Sequence, residues 1–273
     1  MSEYDYKHLL VVEDGPILRV TLNRPEIHNA LNDRLVDELN HMFTLLHSRA
    51  DLRVVVLAAN GRNFCAGLDL TERTGALADT GTAIVEQRRI SRIVLSMRSC
   101  PQPIVALVQG AASGGGMALA LAADVRVATS AARMNAAFIR VGLSACDIGV
   151  SYFLPRMVGA SVASEYMLTG RFIDAERGRH LGLFARVVEP DQLSAEGESF
   201  VRDMLHATPL GLRLTKEALK HAIDAPGLEA VIALEDRNQV LCAQSSDFAE
   251  GIAAFREKRV PRYDTVPGVA HRG

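Results

Sequence analysis

The stretch IVALVQGAASGGGMALALAADVRVAT (104–129) decides the fold. It opens on an unbroken apolar run, IVALVQ (104–109), of the kind a strand shows when both of its faces are covered. Three consecutive glycines, Gly114 to Gly116, then lead into a segment at about 115–122 that reads as a helix, and a second buried strand, VRVAT (125–129), follows. Strand, glycine-rich turn, helix and strand make a βαβ-type unit of a layered α/β core, which puts functional loops at the strand ends. A helix start after glycines offers unpaired N–H groups and a positive dipole end. Taken alone, the segment fits close helix packing or phosphate binding equally well.

Working towards the N-terminus, a helix at about 83–98 precedes this unit, and RVVVLAA (53–59) is a third buried strand. It runs into NGRNFCAGLDL (60–70), a sharp turn whose glycines and small residues would let a ligand approach the backbone. Further upstream, HLLVVE and ILRVTL flank Asp14-Gly15-Pro16 and predict a β-hairpin. Asp33 is expected to cap a helix whose stripe is Leu35, Leu39, Met42, Phe43 and Leu46. Beyond residue 150 the pattern turns helical, at 151–158, 160–168, 174–181, 192–206, 209–223, 228–243 and 246–258, with one short strand near 184–188. The expected organisation is a main core over 1–200, a helical region over 201–263 and a loose tail over 264–273.

Composition narrows the function classes. Among 273 residues, 23% are charged and the net charge is −2, so no basic excess is present to neutralise a nucleic acid backbone or an anionic membrane. No apolar run reaches membrane-spanning length, and the opening MSEYDYKHLL lacks a basic stretch followed by an apolar one, so a cytoplasmic protein is expected. Cys65, Cys100, Cys146 and Cys242 stand far apart, and neither they nor the eight histidines show metal-ligand spacing. Free thiols are expected, with small buried thiols at Cys65 and Cys146, and no metal.

The motifs together carry a resemblance. NRPEIHNALN (23–32), FCAGLDL (64–70), GAASGGG (110–116), VGLSACDIGVSYFLPRMVG (141–159), LTGRFIDAERGRHLGLFARVV (168–188) and FAEGIAAFREKRVPRY (248–263) resemble, in this order, the enoyl-CoA hydratase/isomerase (crotonase) family over nearly the whole chain. The resemblance implies an α/β fold, a spiral of ββα units with a C-terminal helical trimerisation region, assembled as a homotrimer or as a hexamer made of two trimers. It also implies an acyl-CoA thioester as substrate, with coenzyme A part of that substrate and no separate cofactor. The thioester carbonyl would sit in an oxyanion hole formed by the N–H groups of Ala66 and Gly115. Two such donors in a dry site stabilise enolate charge by about 3 kcal/mol each. Arg24, His28, Ala30, Leu68, Asp69 and Leu70 match segments near the CoA moiety, Gly114 and Phe138 the substrate pocket, and Lys258 a basic position in the last helix that reaches CoA, in some relatives from a neighbouring subunit.

Two departures from the family pattern matter most. Hydratases of the family carry glutamates where this chain has Ala118 and Phe138, and neither side chain moves protons. Ordinary hydration of 2-enoyl thioesters is therefore not expected from the usual positions. Asp147 matches, across a one-residue insertion, the position of a working aspartate in dienoyl-CoA isomerases and 4-chlorobenzoyl-CoA dehalogenase. It is the candidate proton-transfer group, and a helix cap at about Ile148 is the competing role. Three readings stay open here: an isomerase or related lyase acting through a thioester enolate, a catalytically weak acyl-CoA binder, and a ClpP-like serine hydrolase with Ser113 as nucleophile. The third lacks a histidine base, since none occurs between His47 and His180.

Overall fold

The computed structural model describes residues 4–71 and 79–263. The hairpin forms as expected: β1 (Leu9–Asp14) and β2 (Ile17–Leu22) pair antiparallel around Gly15, which takes a left-handed φ of +56°. β3 (Val54–Ala59), β4 (Ile104–Val108), β6 (Val125–Thr129) and β9 (Arg186–Val188) add in parallel, giving the order β1-β2-β3-β4-β6-β9. Side chains alternate along these strands, so both faces need cover. Val55, Leu57, Ile104 and Ala106 enter the larger core beneath α1 (Asp33–Leu45) and α2 (Thr80–Ser99). Val54, Val56, Val105 and Leu107 enter a smaller core on the opposite face, closed by α7 (Leu193–Leu205) through Leu193 and Val201.

A second, three-stranded sheet of β5 (Ala111–Ser113), β7 (Arg133–Asn135) and β8 (Ile173–Asp174) lies outside the sequence expectation. Isolated bridges Leu31 to Leu68 and Cys65 to Ala112 extend its pairing into the earlier loops. A strand, a second strand or bridge, and a helix recur four times as a succession of ββα units: β1-β2-α1, β3-α2 with the Cys65 and Leu68 bridges between, β4-β5-α3 (Gly115–Ala122) and β6-β7-α4 (Val150–Val158). α1 keeps its expected stripe, with Leu35, Leu39, Met42, Phe43 and Leu46 all buried. Its cap is Asn32, not Asp33: the Asn32 side chain accepts the Leu35 N–H at 3.0 Å, and Asp33 occupies the first helical position.

The remaining helices are α5 (Ala160–Thr169), α6 (Ala175–His180), α8 (Pro209–Ala222), α9 (Leu228–Ala243) and α10 (Ser246–Glu257). α8 is tied to the core by Lys216, whose buried Nζ contacts Asp124 Oδ2 at 2.9 Å and Gln102 O at 2.7 Å. α9 and α10 bury little: Asn238 and Ala254 are their only buried residues, while Leu228, Val240, Leu241, Phe248 and Phe255 stand exposed. The expected tail at 264–273 lies outside the described residues. No helix among the described residues is long and apolar enough to cross a membrane.

Candidate active site

The loop after β3 and the start of α3 meet because two glycines let them. Gly67 holds φ +93°, and a Cβ there would stand 2.7 Å from Ser113 O and 3.3 Å from Gly115 N. At Gly116 a Cβ would stand 2.1 Å from Cys65 O, so any side chain would force the helix off the loop. Cys65 and Ser113 cement the contact, with Ser113 N–H donating to Cys65 O at 2.9 Å. Burial pushes the Cys65 thiol up to about 12, which leaves it an inert core group. The other thiol at these loops departs from expectation: Cys146 is exposed, because the chain turns outward between Ala145 and Ile148.

A cavity of about 180 Å³ opens at this junction. Leu31, Leu68, Ile90, Phe138, Val141, Leu143 and Ile148 give it apolar walls, Leu70 stands exposed at its edge, and Gly67, Gly114 and Gly115 contribute backbone. Gln87 and Asp147 are its only polar side chains among the described residues. Ala118 is fully buried one turn into α3, and Phe138 presents a ring where a second carboxylate was to be sought.

The N–H inventory corrects one expected donor. Ala66 lines the cavity, but its N–H donates to the carbonyl of His28 at 2.9 Å and is not available to a ligand. His28 can turn its carbonyl that way because it takes a left-handed φ of 57°, and its ring is left at the surface. The alternation of backbone direction along an extended segment moves the open donor two residues on. Leu31 N–H donates to Gly67 O and Asp69 N–H to Leu31 O, while Leu68 N–H meets no acceptor among the described residues. Gly115 N–H, in the first turn of α3, is open in the same way.

Arg24 and Asp69 also depart from expectation. Both are buried and paired with each other at 3.1 Å, and Arg24 further donates to Ala30 O. Burial pushes the Asp69 carboxyl upward, but hydrogen bonds from the Thr71 hydroxyl and N–H, together with Arg24, outweigh it and hold the group below the usual carboxylate range. Arg24 is therefore a strut under the loop rather than a cation facing a phosphate. Lys258 ends α10 at φ 54°, exposed, and is not among the residues lining the cavity.

Asp147 does line it. Its helix-cap role fails on geometry: α4 starts at Val150 behind Gly149, and the Asp147 carboxylate instead accepts the Ile148 N–H at 2.8 Å, ahead of the helix. Gln87, on α2, donates its amide to the same carboxylate at 2.6 Å. Burial raises the Asp147 carboxyl above its ordinary value, against the opposing pull of these two donors. Ser113 makes no hydrogen bond to a histidine among the described residues, so the serine-hydrolase arrangement is missing its base.

Comparison with known proteins agrees with this fold over most of the chain. The family model described as enoyl-CoA hydratase/isomerase matches residues 13–265. A Mycobacterium tuberculosis (strain H37Rv) protein named as a probable enoyl-CoA hydratase is 37% identical over 92% of both chains. The 1,2-epoxyphenylacetyl-CoA isomerase of Escherichia coli K12 is 32% identical over 96% of this chain and 99% of its own. The crystal structure of an enoyl-CoA hydratase from Bacillus anthracis superposes with a TM-score of 0.90 at 30% identity, covering 95% of this chain and all of that one.

Proposed function

The chain belongs to the enoyl-CoA hydratase/isomerase family, and on that premise we propose that it isomerises an acyl-CoA thioester through an enolate, using Asp147 as its single proton-transfer group. The observation that carries this reading is the cavity's polar inventory: two open N–H groups, one carboxylate and one amide in an otherwise apolar wall. The thioester carbonyl oxygen accepts from Leu68 N–H and Gly115 N–H. Asp147 removes a proton from carbon adjacent to the carbonyl or conjugated with it, and the C–H electron pair moves into the carbon framework and on to that oxygen. The enolate then takes the same proton back at a different carbon, the C=C bond shifts, and the carboxylate is regenerated. One carboxylate suffices because the proton lost is the proton returned.

Hydration is more demanding. Water must be deprotonated on one side while carbon is protonated on the other, which two groups perform best, and Ala118 and Phe138 supply neither. A carboxyl raised by burial is a stronger base than an exposed aspartate, and each N–H donor contributes about 10²- to 10³-fold to turnover. The apolar wall matches an unsaturated acyl group and keeps water from quenching the enolate. The exposed apolar residues of α9 and α10 support a homotrimer or a hexamer, in which they are covered by other copies.

The test is a panel of 2-enoyl, 3-enoyl and 3,5-dienoyl thioesters with the wild type and Asp147→Asn. The expected result is double-bond migration in the wild type, hydration of crotonyl-CoA at least about 10²-fold below it, and loss of migration by about 10²-fold or more in Asp147→Asn with thioester affinity kept. Efficient hydration, or migration that survives in the variant, would overturn the proposal. Binding without turnover of any member would leave an acyl-CoA-binding protein in its place.

A further inference from the structure

The Asp147 carboxylate is held on one side only. Gln87 Nε2 at 2.6 Å and Ile148 N–H at 2.8 Å both donate to Oδ1, and Oδ2 has no partner among the described residues. The amide's orientation follows from chemistry. An ionised carboxylate only accepts, so the side-chain NH2 rather than the carbonyl of Gln87 must face it. Gln87 comes from α2, sixty positions earlier in the chain, and its side-chain amide makes no other hydrogen bond among the described residues. It also lines the same cavity as Asp147, Leu68 and Gly115. Two donors on one oxygen resist rotation of the carboxylate about its Cβ–Cγ bond, since a half-turn would exchange the oxygens and break both bonds.

We propose that Gln87 is the positioning residue of the site: by fixing Oδ1 it makes Oδ2 the atom that takes and returns the substrate proton. This rests on the isomerase reading of Asp147. The contact persists through the reaction cycle, because with the proton on Oδ2 the other oxygen, Oδ1, is the carbonyl of the acid and still accepts from the Gln87 amide. Among the described residues, no charged side chain takes part in setting the Asp147 level. Burial raises it, and the Ile148 N–H and the Gln87 amide lower it. Removing the amide therefore lets the carboxyl rise further, and the acid limb of a reaction that needs the carboxylate moves to higher pH.

The experiment uses Gln87→Met, similar in length and without a donor, in the full chain. Expected are an acid limb of the kcat profile about 1 pH unit above the wild type, kcat about 10-fold lower, KM within about 3-fold and, because the further-raised carboxyl costs stability once it ionises, a melting temperature a few degrees lower at neutral pH, the shift of one unit corresponding to one charge-assisted hydrogen bond. The Asp147 carboxyl, followed by 13C NMR as the signal missing in Asp147→Asn, should titrate with the same upward shift, and that readout needs no substrate. Gln87→Glu, which sets a second carboxylate against the first, should move the limb up as well. An unshifted carboxyl signal and acid limb, or a rise in KM with kcat intact, overturns the role of Gln87. If Asp147→Asn abolishes turnover in the same series, only this inference falls. If Asp147→Asn keeps its turnover, the isomerase reading falls and takes this inference with it.

Discussion

Gly67→Ala tests whether the two open N–H groups work as a pair. A Cβ at Gly67 would stand 2.7 Å from Ser113 O, about 0.7 Å inside ordinary contact, and 3.3 Å from Gly115 N. Both atoms belong to backbone at the start of α3, so relief comes from sliding the loop off the helix rather than turning a side chain. The left-handed φ of +93° adds strain of about 1–2 kcal/mol for a residue with a Cβ. Together these should lower the melting temperature by a few degrees, at about 2–4 °C per kcal/mol for a chain of this size. The effect on catalysis should be larger. A shift of about half an ångström between Leu68 N–H and Gly115 N–H costs close to one donor, or about 10²- to 10³-fold in turnover. Gly15→Ala is the control: it meets the same left-handed strain at φ +56°, has nothing within 4 Å and lies in the first hairpin, far along the chain from the site loops. Circular dichroism melts should show both variants modestly weakened, and steady-state kinetics should show only Gly67→Ala impaired, in kcat more than in KM. Full turnover in Gly67→Ala, or equal losses in the two variants, would refute a paired oxyanion hole at this junction.

Asp147→Asn should raise thermal stability at neutral pH while it removes turnover. The folded-state carboxyl titrates above its unfolded value, so the folded protein binds that proton more tightly, and stability is lost as pH rises through this window; replacing the ionised group removes the loss, and melts at pH 4 and pH 7.5 would show the gain at the higher pH. Arg24→Met leaves Asp69 buried without its cation and should cost about 3–5 kcal/mol in chemical denaturation, far more than an exposed arginine would. For Asp69→Asn the sign is opposite to that of Asp147: the depressed carboxyl stabilises the fold above about pH 4, so the deficit of the variant should be full at neutral pH and shrink as pH falls through the folded-state titration. Phe255→Asp places a charge on the most exposed large apolar side chain of α10, and light scattering at micromolar concentration should show a smaller assembly than the wild type, whereas a wild type that is itself monomeric would remove the trimer reading.

What the sequence revealed, and what it hid, divides along a physical line. The parallel sheet was legible because burial on both faces leaves unbroken apolar runs at 53–59, 104–109 and 125–129, and these became β3, β4 and β6. The second sheet was not, because strands of two or three residues such as β5 and β8 are too short to carry a period. Asn32 rather than Asp33 caps α1 because adjacent residues are equally good acceptors and only the backbone turn chooses between them. The same limit governs the site. FCAGLDL identified the loop, but which N–H faces the cavity depends on backbone direction at Gly67 and on the carbonyl of His28 that captures Ala66, and neither is written in side-chain type. Arg24 and Asp69 stand forty-five positions apart in the chain, and only folding reveals that each satisfies the other. Asp147 stands out in the sequence through the resemblance to relatives with a working aspartate, and the fold adds its place in the cavity wall. Gln87 does not, since a polar residue on the exposed side of a helix is the commonest thing a helix contains. Its significance comes from its partner, and a partner sixty positions away is information that only the fold holds.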